Sequence, residues 1–457
     1  MHKLEYNLEF SEQCEELSVA SAIPGYLLHC LVHFVCLPYL IANGIGRVLK
    51  GRYRGVAKTR LLGGSPPRDS QNAFVFVGTA LGETRTAIRA AKYLKADRQA
   101  SVAVWVETTH VANATRAETS VRTALAPFNN PISALVGLLR WKPAALVFIE
   151  NARPMHLVMI ARLLGVPTLL ANVKVSESRS ARYRNRFMGS WRYRAIGLIA
   201  AQSEIHANRL VSVGVPRSMV RVTGPELGQM TAESERSGAA RKWKEAFGVN
   251  GSPLVVAGST HEPEEPIILQ AFEAFRQVYP DAILVLAPRQ TWRKGGADST
   301  LKSMNIEYQL RSRLSVDTLP NSRIVLLDTQ GELQDVYSAA TVAFVGGTLV
   351  KGVGGHSPIE PLRWGVPVTI GPNYAHQEAV VEAVGNPEFL RVCSTADELR
   401  DIWYDWANGS RDPDLAEKIG AIFSKHGATY RAWHDIVLSA KGQRGMKMLR
   451  NEPIEHP

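Results

Sequence analysis

Short apolar runs that recur between stretches of helical character constrain this chain more than any other feature. In the first half they fall at 73–77, 101–106, 144–149, 167–171 and 197–201, with a shorter one at 219–223. After a polar interval the pattern resumes at 254–257, 282–286, 322–326, 342–345 and 366–370. A strand that is apolar throughout is buried on both faces, and helices between successive strands make the pairing parallel. The order therefore predicts an α/β protein of two doubly wound, Rossmann-like domains, each offering a crevice at the carboxyl ends of its strands. At 457 residues the chain is too long for one ordinary core. The expected division is an N-terminal segment 1–62, a first domain 63–230, a linker 231–250 and a second domain 251–457, with the two domains facing a cleft.

The N-terminal segment has its own signature. No Asp, Glu, Lys or Arg occurs from 17 to 46, and Arg47, Lys50, Arg52, Arg54, Lys58 and Arg60 follow at once. Such a stretch is long enough to cross or lie deep in a bilayer, and the basic flank places the bulk of the chain on the cytoplasmic side. Pro24, Pro38, His29 and His33 leave a buried domain helix as the alternative, while Glu12, Glu15 and Glu16 argue against a cleaved signal peptide. A net charge of +11 favours an anionic partner. The four cysteines show no CxxC spacing, so neither a disulfide framework nor a zinc site is expected, and a reducing cytoplasm fits. Arg179, Arg182, Arg184, Arg186, Arg192 and Arg194 form a basic run that reads as a solvated face, an acidic-lipid surface or an RNA surface. No RNA-binding module signature accompanies it, and no nucleic-acid partner is expected.

Candidate ligand loops follow the strand ends. The run ending at Ala257 leads into Gly258, Ser259, Thr260, His261 and Glu262, with Glu264 and Glu265 opening a helix. Small hydroxyl residues there cap a helix or bond a phosphate. The run ending near Leu286 leads to Arg289, whose guanidinium suits a bidentate phosphate contact. The run 342–345 breaks at Gly346-Gly347, and Gly354-Gly355 then leads through His356 and Ser357 to Glu360. Glycines let backbone approach a ligand, Ser357 or Pro358 can open a helix, and Glu360 can accept bonds from ribose hydroxyls. Two tight turns in an ordinary αβ unit are the plain alternative. In the first half Glu83 sits at a helix start after 73–77, where it is a first-turn acid or a general base. Glu150 ends another run, and Asn172, Lys174 and Ser176 end a third.

At these residues the chain resembles the 3-deoxy-D-manno-octulosonic acid (Kdo) transferases of lipid A assembly. The resemblance is carried by GSTHE with Glu264-Glu265, Pro288-Arg289, Gly331-Glu332-Leu333, and AFVGGTLV followed by GGHSPIEP and Gly371-Pro372. In the first half it rests on Leu81-Gly82-Glu83, Glu150, LLANVKVS and IAAQSE, with Ala80-Leu81 where the family has Ser-Val, and Asn151 where it has Thr. The resemblance implies a GT-B type, inverting glycosyltransferase at the cytoplasmic face of the inner membrane. It would take CMP-Kdo as donor and a lipid A precursor or related anionic glycolipid as acceptor, without cofactor or metal. Glu83 matches the family's catalytic acid/base. Ser259, Thr260, His261, Glu262, Arg289, Gly346, Gly347, Gly354, Gly355, His356, Ser357 and Glu360 fall at the donor site, and Glu150, Asn172, Lys174 and Ser176 at the acceptor side. Two alternatives stay open: the same fold with another nucleotide sugar or acceptor, and a catalytically silent glycolipid-binding paralogue.

Overall fold

The computed structural model describes residues 22–31, 57–61, 72–115, 121–151, 153–177, 180–181, 191–289, 296–314, 320–408, 414–424 and 428–439. The chain forms two compact units, Met1–Glu226 with Gly427–Pro457, and Leu227–His426.

The first unit is built on β1 (Phe74–Gly78), β2 (Val102–Val106), β3 (Thr123–Leu125), β4 (Ala145–Ile149), β5 (Thr168–Val173), β6 (Leu198–Ala201) and β7 (Val220–Val222). They lie in the order β3-β2-β1-β4-β5-β6-β7, every pair parallel. Side chains alternate across a strand, so a run without polar residues feeds two cores. Val75 and Val77 join Leu146 and Phe148 in one core, while Phe74 and Phe76 join Ala145 and Val147 in the other.

The second unit repeats the plan with β8 (Leu254–Thr260), β9 (Ile283–Pro288), β10 (Gln309–Leu310), β11 (Ile324–Leu326), β12 (Val342–Val345), β13 (Val368–Ile370) and β14 (Leu390–Val392). Their order is β10-β11-β9-β8-β12-β13-β14, again all parallel. Leu254 and Val256 face one core and Val255 and Ala257 the other. In each sheet the first strand has neighbours reached by opposite crossovers, β2 and β4 beside β1, β9 and β12 beside β8. Those are the switch points at which doubly wound sheets open a crevice.

Three expectations change. Interval 231–250 is not a bare linker: Glu233–Phe247 is a helix of the second unit, with Trp243 and Phe247 buried in its core. Its polar composition reflects a helix exposed on its other faces. The chain end does not stay in the second unit. Helix 428–439 buries Tyr430, Trp433, Ile436 and Val437 among Phe74, Phe76 and Ala87 of the first, and Thr429 and Trp433 bond Thr223 at 3.0 and 3.1 Å. Arg60, expected at a lipid surface, is buried, donates to the Ala126 carbonyl at 3.0 Å and stacks on Phe128.

Of the apolar stretch 17–46, residues 22–31 are described, as a helix; the rest lies outside the described residues. That helix joins the first unit through Tyr26, whose hydroxyl bonds His156 at 2.9 Å, and leaves Leu27, Leu28 and Leu31 exposed. Among the described residues no helix is long and apolar enough to cross a membrane.

Candidate functional site

In the second unit the loops after β8, β9 and β12 hold most of the candidates, and a residue not counted among them organises the set. Glu264 is fully buried. Its Oε2 accepts from the backbone N–H of Gly347 at 2.7 Å and of His261 at 3.0 Å. Its Oε1 accepts from those of Thr348 at 2.9 Å and Leu349 at 2.7 Å. Four oriented amides are a nest for an anion, and here the anion is the protein's own carboxylate, which pins the Gly-rich loop after β12 to the loop after β8. Gly346 lies inside this junction: a Cβ on it would meet Ser259 O and Thr260 Cα at 2.6 Å. Gly354 has φ +85°, and a Cβ there would fall 2.7 Å from the His376 ring. These glycines answer to close approach of the protein's own chain, where the sequence reading assigned them to a ligand.

The fold presents other candidates differently. Ser259 adopts φ +55°, a conformation few non-glycine residues take. Thr260 is buried and donates to Glu265 Oε1 at 3.1 Å, so its hydroxyl is committed inward. Glu262 is exposed. His261 and His356 meet edge to edge, with Nε2 atoms 3.0 Å apart and ring planes within 9° of parallel. Burial, then the positive neighbours His261, Arg289 and His376, push the His356 pKa down to about 4. Arg289 is exposed at the end of β9, its backbone N–H bonded to Thr260 O at 2.9 Å. Glu360 is half-buried, and burial raises its pKa against the pull of Gln334, Arg289 and Arg363. The helix after Ser357 is a single turn, Ile359–Leu362, too short to supply much of a dipole.

In the first unit Glu83 folds back over the start of helix Leu81–Asp97. Its Oε2 accepts from the N–H of Thr79 at 2.9 Å, the Thr79 hydroxyl and the N–H of Ala80 at 3.1 Å. Its Oε1 takes one bond, from Asn151 Nδ2 at 3.0 Å. Beside it lie the acceptor-side candidates. Glu150, at φ +57° where β4 ends, accepts from Asn172 Nδ2 at 3.4 Å and pairs with Lys174 at 3.8 Å. Burial raises the Glu150 pKa, with Lys174 opposing and Glu83 and Glu226 adding to the rise. Ser176 stands further along that loop, accepting from the Ser180 N–H at 3.0 Å.

Sequence reasoning missed Glu226, which accepts from Arg89 at 3.0 and 2.8 Å and from the Tyr430 hydroxyl. Burial alone would raise its pKa, yet Arg89, Tyr430 and Thr86 hold it below the ordinary value. No local pattern marks it, because its partners lie far along the chain. Asn151 had a signal, its place immediately after the strand-end Glu150. Of the basic run 179–194, only Arg192 and Arg194 are described; Arg192 lies over the Trp191 ring. Among the described residues no group of His, Cys, Asp or Glu is arranged to hold a metal ion.

Solved structures built from two such doubly wound parallel α/β units resemble this one in fold. UDP-GlcNAc 2-epimerase from Neisseria meningitidis matches with TM-score 0.55 and 13% identity over 80% of this chain and 99% of that one. A glycosyltransferase from Rickettsia africae matches with TM-score 0.52 and 13% identity over 84% and 100%. In sequence, residues 54–225 match the family described as 3-deoxy-D-manno-octulosonic-acid transferase (kdotransferase). The 3-deoxy-D-manno-octulosonic acid transferase of Haemophilus influenzae is 31% identical over 56% of this chain and 60% of its own. That of Bordetella pertussis is 28% identical over 67% and 71%. The first-named match thus spans three fifths of its relative's length. Residues 54–225 are thus similar to the Kdo-transferase family, and Kdo transferases are among the proteins the chain resembles.

Proposed function

We propose that the chain is an inverting glycosyltransferase that moves Kdo from CMP-Kdo to a lipid A precursor or related anionic glycolipid at the cytoplasmic membrane face. The observation that carries this reading is the set of loops after β8, β9 and β12. There Glu264 fixes the Gly-rich turn while the exposed Arg289 and the His261–His356 pair are left for an anionic ligand. The similarity to Kdo transferases supplies the sugar. Arg289 stabilises the charge growing on the departing CMP phosphate, and Glu360 holds ribose hydroxyls. Glu83 takes the proton from an acceptor hydroxyl as that oxygen attacks the anomeric carbon, with Oε1 as the accepting atom because Oε2 already takes three bonds. Lys174, beside Glu150 and Asn172, gives the acceptor side a positive group for an anionic glycolipid.

Membrane association has its own support in the first unit. Helix Pro131–Trp141 exposes Ile132, Leu135 and Leu139, one ridge at helical spacing, with Arg140 and Lys142 exposed at its end. Helix 22–31 adds exposed Leu27, Leu28 and Leu31. The test is transfer by purified protein from CMP-Kdo to a lipid A precursor, read by mass spectrometry, beside other nucleotide sugars. A Kdo-sized mass increase is expected. Transfer from another donor alone, or CMP binding without transfer to any acceptor, overturns it.

A further inference from the structure

The His261–His356 pair has more to say than membership of the donor site. Two imidazole nitrogens 3.0 Å apart share one proton: one ring donates from Nε2–H and the other accepts at Nε2. The accepting ring then carries its own proton on Nδ1, and the donating ring keeps an unprotonated Nδ1. The charges facing the pair can be named element by element. The loop after β8 brings His261 itself, with Glu264 spent on four backbone amides and Glu262 exposed. The end of β9 brings Arg289 and the segment after β13 brings His376, while Glu360, the acid facing Arg289, is shared with Gln334 and Arg363. Among the described residues no carboxylate is hydrogen-bonded to either ring. The neighbourhood is short of negative charge, and a further cation beside Arg289 would be repelled, which favours a neutral pair.

Resting on the donor reading, we propose that the pair is a proton-coupled anion subsite: a phosphate ester bound beside Arg289 draws one proton from solvent onto it. The proton enters at Nδ1 of the donating ring, so the Nε2–H···Nε2 bond stays intact and becomes charge-assisted. The anion supplies the negative charge the empty site lacks. The paired rings are thereby held at low cost without ligand and become cationic only when a ligand rewards it. This fits the burial that pushes His356 down to about 4 in the free protein. The bound-state pKa lies above the free-state one, so affinity is full below the free-state value, declines as pH rises between the two and levels off above the bound-state value.

The experiment is titration calorimetry of the full chain with CMP at about pH 7.5, where a phosphate with second pKa near 6 is already dianionic. Measured in two buffers of different ionisation enthalpy, the wild type should take up about one proton per CMP, and its Kd should rise about tenfold per pH unit around that pH, levelling off above the bound-state pKa. The double variant His261→Gln/His356→Gln should bind CMP more weakly with no uptake. CMP binding without uptake in the wild type overturns the proposal and leaves the donor site standing, and unchanged uptake in the double variant overturns it equally. Absence of CMP binding at millimolar concentration sinks the donor reading and the proposal together.

Discussion

Glu83 and Glu264 occupy matching places, each in the turn that leads from the first strand of its sheet into a helix, and each is a buried carboxylate receiving several hydrogen bonds. They differ in who donates. All four donors on Glu264 are backbone amides, drawn from two loops far apart in sequence. Glu83 has local donors on Oε2, and its Oε1 faces only the Asn151 amide. A backbone amide cannot turn away, whereas a side-chain amide can rotate or flip to present its oxygen. Glu264 is thus committed to architecture, and Glu83 keeps one oxygen free to exchange its partner. Burial and bond number alone would not separate the two.

The strongest way to break that comparison is to remove Glu264. Glu264→Ala leaves four amides without their acceptor, and the expected loss is about 3–5 kcal/mol of stability, read as a fall in denaturant midpoint, with CMP binding abolished. A variant that melts with the wild type and still binds CMP would show that water serves those amides equally well.

Glu83→Gln should do the opposite. Its oxygen can keep the Oε2 bonds, and Asn151 can flip to accept from the new amide, so stability should fall by no more than about 1 kcal/mol. The amide cannot take a proton, and transfer should slow by about 100-fold or more with donor affinity retained. Kinetics with the true acceptor decide it. Full activity would reduce Glu83 to a cap and erase the distinction drawn from Oε1.

What the sequence made legible follows the same physics. Both sheets were readable because their central strands are apolar on both faces, as at 74–78 and 342–345. The edge strands β3, β10 and β14, two or three residues long and partly polar, carry no such run. The Gly pairs, read as making room for a ligand, make room for the protein's own chain, since the close neighbours of Gly346 and Gly354 include Thr260 and His376. Glu264 was visible only as a helix-opening acid, three of its four partners lying more than 80 residues on. The return of helix 428–439 to the first unit, by Tyr430 to Glu226 and Trp433 to Thr223, rests on contacts across more than 200 residues that no local window reveals.

The smallest effect is expected at Glu265, next to Glu264 but without its amides. Its side chain is buried, takes one bond from Thr260, and leaves Oε2 with no hydrogen-bond partner among the described residues. Burial raises its pKa to about 7, the Thr260 bond working against the rise and the charges of Glu262 and Glu264 adding to it. The folded value lies above the unfolded one, so between about pH 4.5 and 7 the native chain holds a proton the unfolded chain has lost, and stability falls as pH rises across that window. Above it the whole penalty is present; below it there is none. Glu265→Gln carries no charge to desolvate, though its amide hydrogens find no acceptor where Oε2 stood. The variant should be more stable than wild type by about 1–2 kcal/mol at pH 8, with the advantage gone near pH 4.5. Thermal melts at the two pH values measure the difference. A gap that does not change with pH would mean that Glu265 titrates in the fold as it does in the unfolded chain, and that a carboxylate at this turn is comfortable without amides to hold it.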